Sequence, residues 1–417
     1  MREDLTSRYR FVIASLLTSK NFGTGIMMAA AASLLPLIMS EFGISRGTAS
    51  WFFSAPQILT MTLAVPAAIL ANRIGLKKTF ALGIFFHSAS IIAPLCFNFP
   101  TLLITRLIFG IGSAISMPLS AGILAQWFNH RELPLANAFT RVSATVGQTI
   151  ALFITIPIAG LLSWRGTIAS YAAWNLLTAV LWLTLGREKP RAAAGNPVEF
   201  PIHSRQATAA KMTTWQVLKQ RRTLLLGLSL MGAFSLYLSL SAWLPTYYYE
   251  VFNMPLAKAS AVSAIFRATG IPGNILGGIL AMRLGRRKPI IIVSGLMVGV
   301  MGLATFIINS PPVIFTALAI YGFFGVFYMP SIHTIPMEMP GMTPETGSLV
   351  LALALSIGNL GGFMGPIIVG YVADFTGSYL AGFLVCCVLS LSLLVGGLLL
   401  PETGPKARRN INPASVS

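Results

Sequence analysis

Four basic side chains lie inside long apolar runs of this 417-residue sequence: Lys20, Arg106, Arg141 and Arg267. Its 11 acidic residues all fall in polar stretches or at the ends of apolar runs. An ionised side chain at the centre of a bilayer costs roughly 2.5–3.5 kcal/mol on insertion scales, so each such group needs a reason to be there. With no carboxylate at the same depth, that reason is a different anion, a backbone oxygen or water, and a bound anionic solute supplies the first. Depth follows from the helical rise: Lys20 stands ~15 Å along a helix from Arg10, and Arg267 ~13 Å from Lys258. Neither reaches water easily by extending its stem. Arg267 reads as a ligand for an anion before it reads as a carbonyl-bound anchor, and Lys20 fits either role. Arg106 and Arg141 are shallower.

The same census limits energy coupling. No Asp or Glu is available at depth to carry a proton, which leaves His87 and His333 as groups able to titrate near neutral pH. His87 reads first as a packed polar residue, while His333 suits packing and proton- or substrate-linked roles equally. Neutral groups could complete a site: the amides Gln57, Gln148 and Asn359 need partners if buried, and Tyr237, Trp243, Tyr321 and Tyr328 could form aromatic walls. Tyr247–Tyr249 suit the membrane interface. Ordinary core packing accounts for any one aromatic as well. Cys96, Cys386 and Cys387 show neither a disulfide frame nor metal-ligand spacing, so no cofactor is implied.

These residues must be held by membrane helices. Of the sequence, 55% is hydrophobic and 10% charged, against about 25% charged in soluble domains. Apolar runs long enough to cross a bilayer are expected at 11–38, 50–71, 79–98, 101–126, 135–161, 167–186, 223–249, 258–282, 289–308, 312–333, 346–371 and 378–400. No cleavable leader stands apart at the front, so the first run is expected to remain. The polar stretch 187–222, with Pro190, Pro197 and Pro201, reads as a linker carrying a short amphipathic helix around Trp215–Lys219. The fold class expected is thus an all-α membrane protein of 12 transmembrane helices: a six-helix bundle over 1–186, a linker over 187–222, a second bundle over 223–400 and a tail over 401–417.

Charge sets the orientation. If both termini are cytoplasmic, the outer loops hold only Arg46, Arg165 and Lys258, and nearly all remaining basic residues face the cytoplasm. The net charge of +18 is then a retention signal facing anionic lipid, and no nucleic-acid partner is implied. The expected location is the cell (inner) membrane, as a monomer in the lipid bilayer.

Two segments repeat half a chain apart. Ala68-Ile-Leu70-Ala71-Asn72-Arg73-Ile-Gly75-Leu76-Lys77-Lys78 follows the second run, and Gly278-Ile-Leu280-Ala281-Met282-Arg283-Leu-Gly285-Arg286-Arg287-Lys288 follows the eighth. Small residues allow close helix approach, glycine turns the chain, and basic residues fix the turn to the cytoplasmic face. The pair resembles the loop signature of the major facilitator superfamily, Gly-x-Leu-Ala-Asp-Arg-x-Gly-Arg-Arg. Arg106-Leu-Ile-Phe-Gly110-Ile-Gly112 resembles its Arg-x-x-x-Gly-x-Gly, and Gly361-Gly-Phe-Met-Gly365-Pro366 its Gly-x-x-x-Gly-Pro element; plain helix packing explains both equally well. Gly358 to Pro366 with Asp374 to Tyr379 is similar to the anion:cation symporter and cyanate-type permease branches. The Asp-Arg pair that the symporter branch carries in its first span is missing, and the neutral Gly25–Met28 stands at about that depth.

The resemblance implies two pseudo-symmetric bundles, alternating access, and a cavity lined by spans one, two, four, five, seven, eight, ten and eleven, on which all four buried cations fall. It implies structural or gating roles for Arg73, Gly75, Arg106, Arg283, Gly285, Arg286, Gly365 and Pro366; Arg141, by its position near the cytoplasmic face, reads as a gating or structural group or as a functional one. It also implies a place beside the cavity for Asn359. The motif acid is Asn72 in one copy and Met282 in the other, so the usual cytoplasmic latch must be weaker or use other polar groups. The function expected is transport of a small organic or inorganic anion. Efflux of drugs or lipophilic compounds is the alternative, while an enzyme would need a clustered catalytic set that His87, His130, His203 and His333 do not make.

Overall fold

The computed structural model describes residues 2–129, 132–188, 217, 219–339, 342 and 344–406, and they are almost entirely α-helical. Among them ten helices are long and apolar enough to cross a membrane. Two further passes come from chain breaks. Leu133–Leu185 holds the fifth and sixth spans, which reverse at Ser163, where φ is 62°. The Ser163 hydroxyl accepts the Gly166 N–H and caps the returning helix. The second span is split at Leu63 into Arg46–Thr62 and Ala64–Ile74, each too short to cross alone.

The other spans are Arg2–Phe42 (first), Leu76–His87 continued by a 3₁₀ turn over Ala89–Leu95 (third), and Phe99–Trp127 (fourth). They continue with Arg221–Glu250 (seventh), Leu256–Leu284 (eighth) and Lys288–Ile307 (ninth). The tenth is Pro311–Phe327 with Met329–Glu338, the eleventh Pro344–Thr376, and the twelfth Tyr379–Ser390 with Ser392–Leu399. The expected amphipathic helix at 215–219 lies largely outside the described residues.

The chain forms two compact units, one of Met1–His203 with Tyr248–Ala264 and the other of Ser204–Tyr247 with Ile265–Ser417. In the first unit, glycines bring two spans into contact. A Cβ at Gly25 would strike the Ala144 carbonyl, and one at Gly147 the Phe22 carbonyl, so the first and fifth spans touch backbone to backbone. The second unit repeats the device: Gly361 and Gly365 seat the eleventh span on the carbonyls of Met231 and Ser235 in the seventh. Segment Tyr248–Ala264 joins the first unit through an Arg46–Glu250 ion pair at 2.9 Å. It is also held by a buried chain in which Ser33 Oγ lies 2.6 Å from Ser260 Oγ, which donates to the Leu152 carbonyl at 2.7 Å.

Both motif turns need glycine, because Gly75 and Gly285 have φ of 91° and 60°. Carboxylates from the ends of the sixth and twelfth spans stabilise the helices that follow. Glu188 accepts the Lys77 N–H at 3.3 Å. Glu402 accepts the N–H groups of Arg287 and Lys288 at 2.8 and 3.1 Å, and negative charge at a helix N-terminus is favourable. In the second copy Arg287 also pairs with Glu338, its Nη2 2.7 Å from Oε1, and donates to the Ala281 carbonyl. Arg73, Arg283 and Arg286 are exposed, so Arg287, one residue beyond the basic position expected to matter, holds this turn. Glu338→Ala leaves the Arg287 guanidinium enclosed without its carboxylate. It is expected to lower unfolding free energy by about 2–3 kcal/mol, visible as a fall in Tm in detergent.

Candidate functional site

In the second unit Arg267 of the eighth span lies in an aromatic recess. Its Nη1 donates to the Tyr237 hydroxyl at 3.3 Å, and its guanidinium carbon sits 5.1 Å from the ring centres of both Tyr237 and Phe266. Tyr237 packs edge-on against Phe266 at 5.6 Å and stacks with Tyr321 at 6.5 Å. Tyr328, 1% exposed, is a further buried phenol at the end of the helix that carries Tyr321.

The backbone makes room for these rings. A Cβ at Gly322 would strike the Phe266 carbonyl, so the eighth and tenth spans approach closely, and Gly302 and Gly325 face the rings of Tyr321 and Tyr237. Among the described residues, the four ion pairs engage Arg10, Arg46, Arg165 and Arg287 and leave Arg267 without a carboxylate. The Tyr321 hydroxyl is buried with no hydrogen-bond partner. A guanidinium and an unused phenol, walled by aromatic rings, together present donors and positive charge to an acceptor that the chain itself does not supply.

The remaining candidates stand apart from this recess. Arg106, 1% exposed, is held by its own unit: Nε donates to the Phe52 carbonyl at 3.1 Å, Nη1 to the Met27 carbonyl at 3.4 Å, and the rings of Phe52 and Phe109 cover it. Lys20, 3% exposed, bonds Asn21 Oδ1 at 3.3 Å and lies 6.0 Å from the Phe80 ring. His87 is fully buried, with Nε2 3.0 Å from Ser113 Oγ. His333 Nδ1 donates to the Met329 carbonyl at 2.7 Å, one helical turn back.

Arg141 and Asn359 are exposed, and Gln57 and Gln148 half-buried, none with a hydrogen bond among the described residues. Trp243, a candidate wall, is instead a core anchor, fully buried with Nε1 donating to the Pro366 carbonyl at 2.8 Å. Of the expected interfacial tyrosines only Tyr249 is exposed; Tyr247 bonds the Phe306 carbonyl and Tyr248 stacks on Phe252. Sequence reading missed Phe266, which shares Arg267 with Tyr237. The adjacency Phe266-Arg267 was its available signal.

Comparison with known proteins places the chain in a family. The family model described as "Major Facilitator Superfamily" matches residues 20–346. The chain is 25% identical to "Probable sulfoacetate transporter SauU" of Cupriavidus necator, covering 91% of this chain and 88% of the relative. It is 24% identical to "Probable nitrate transporter NarT" of Staphylococcus epidermidis, covering 87% and 89%. Its fold is similar to that of a bacterial homologue of the human lysosomal transporter Spinster, crystallised in an inward-facing, occupied conformation, with a TM-score of 0.74 at 17% identity over 94% of each chain. The chain belongs to the Major Facilitator Superfamily: it is a multi-pass membrane transporter and not an enzyme.

Proposed function

We propose that this protein carries a small anion across the cell membrane by alternating access, with Arg267 as the charge that receives it. The observation that carries the reading is the Arg267 recess: a cation ~13 Å from the outer end of its helix, without a carboxylate among the described residues, beside a buried phenol that has no partner. Tyr237 and Phe266 fix the guanidinium plane, and the hydroxyls of Tyr321 and Tyr328 donate to the anion. The names of the sulfoacetate and nitrate relatives support the same substrate class.

In this reading the protein is a monomer of two six-helix bundles, 1–186 and 223–400, joined by the 187–222 linker. Both termini and the 401–417 tail are cytoplasmic. Gln57, Gln148 and Asn359 are open amides available to polar parts of the solute. Arg106 and the motif residues Arg73, Gly75, Arg283, Gly285, Arg286, Gly365 and Pro366 serve structure and gating, while Arg141 and His333 stand toward the cytoplasmic mouth.

Counterflow in proteoliposomes tests this directly. Vesicles loaded with unlabelled sulfoacetate or nitrate are expected to accumulate the labelled anion, and vesicles loaded with a lipophilic cation are not. The opposite pattern would support efflux of lipophilic compounds instead.

A further inference from the structure

The hairpin between two helices of the second unit is seated on the first. Tyr248–Ala264 comprises the end of the seventh span, the turn after it and the start of the eighth, and it belongs to the first unit. The two helices pass to the second unit at Tyr247 and Ile265. At the rim, Arg46 donates to Glu250 Oε2 through Nη2 at 2.9 Å and through Nε at 3.3 Å. Deeper in, Ser260 Oγ donates to the Leu152 carbonyl of the fifth span at 2.7 Å. Ser33 Oγ of the first span lies 2.6 Å from Ser260 Oγ, and since a hydroxyl has one proton to give, Ser33 is the donor in that bond. Both serines are 0% exposed.

Ser260 stands directly above Arg267. The two are seven residues apart on one helix, Leu256–Leu284, whose internal proline, Pro272, comes after both. Seven residues make two turns, or ~10 Å, so the two side chains share a face of the helix. The face that carries Arg267 is therefore sealed two turns nearer the outer end. An anion that enters along this face from that end meets Ser260 first. The seal is neutral. Water replaces its hydrogen bonds when it parts, at small net loss, whereas a buried ion pair resists separation. The rim pair is part-exposed, with 34% and 23% of its side chains open, and such pairs contribute little.

We propose that the chain from Ser33 through Ser260 to the Leu152 carbonyl is the outer barrier of the Arg267 site, broken and remade in each transport cycle. Its place above Arg267 rests on the helix alone; its part in anion transport rests on the reading under Proposed function.

Cross-linking tests it. Ser33→Cys combined with Ser260→Cys puts two sulfurs where the hydroxyl oxygens stand, within reach of a disulfide, while Cys96, Cys386 and Cys387 are all buried. In proteoliposomes, oxidation with copper phenanthroline is expected to cut counterflow of nitrate or sulfoacetate at least ~10-fold, and reduction to restore it. Each single variant is expected to ignore the oxidant. A folded double variant that does not cross-link, or that transports equally fast cross-linked and reduced, overturns the barrier.

The second measurement needs no substrate. In intact cells, a membrane-impermeant maleimide is expected to label Arg267→Cys slowly from outside. Adding Ser260→Ala removes both hydrogen bonds and is expected to speed that labelling at least ~5-fold. Equal labelling rates overturn the barrier. Absence of counterflow in wild type rejects the anion reading, and the labelling rates then decide the barrier by themselves.

Discussion

Arg267→Ala is expected to lower anion transport at least ~30-fold while the protein still inserts and remains monodisperse. The size follows from removing a charge-assisted contact in a low-dielectric recess, which costs about 2–5 kcal/mol where one partner stays desolvated, and each 1.4 kcal/mol is about tenfold. Folding should be little affected, because Arg267 makes one hydrogen bond to the protein, to Tyr237, and no ion pair among the described residues. Arg267→Lys keeps the charge and loses the planar fork that lies against Tyr237 and Phe266. Its expected activity is intermediate, since lysine offers a point charge without bidentate geometry. Counterflow rates, normalised to protein in the vesicle, measure both.

Tyr321→Phe is expected to move stability and binding in opposite directions. The free protein buries the hydroxyl without a partner, and an unsatisfied buried donor costs about 1–3 kcal/mol. Deleting it should leave Tm unchanged or raise it. The same deletion removes a donor to the bound anion, worth about 1 kcal/mol, so Kd should rise ~5-fold. A tyrosine that is merely core would show no change in anion affinity. Thermal unfolding with and without sulfoacetate separates the cases.

Much of the architecture was legible in the sequence. Apart from the first helix, which starts at Arg2 and not at 11, hydropathy placed the helix ends to within about five residues, and charge-poor composition excluded a soluble protein. The repeat around Gly75 and Gly285 named the fold because only glycine takes a positive φ there without strain. Two helix breaks were less visible. The chain opens at Leu63 within an unbroken apolar run, and the third span ends in a 3₁₀ turn around Pro94.

The site was half legible. Arg267 stands out as a deep cation in any hydropathy reading, yet nothing local distinguishes it from Arg106 or Lys20. The difference lies in long-range partners: the carbonyls of Phe52 and Met27 for Arg106, and the ring of Phe80 for Lys20. The carboxylates that cap the two motif turns were equally hidden. Glu188 and Glu402 stand more than a hundred residues from the turns they cap, and only folding brings them there.

Receipt of the anion by Arg267 is open to direct measurement. Calorimetric titration of sulfoacetate and of nitrate into purified wild type, Arg267→Ala and Tyr321→Phe measures it most directly. Saturable binding of at least one of the two to wild type is expected, with weaker binding to Tyr321→Phe and none detectable to a folded Arg267→Ala. An Arg267→Ala protein that binds the anion with the wild-type Kd would contradict it.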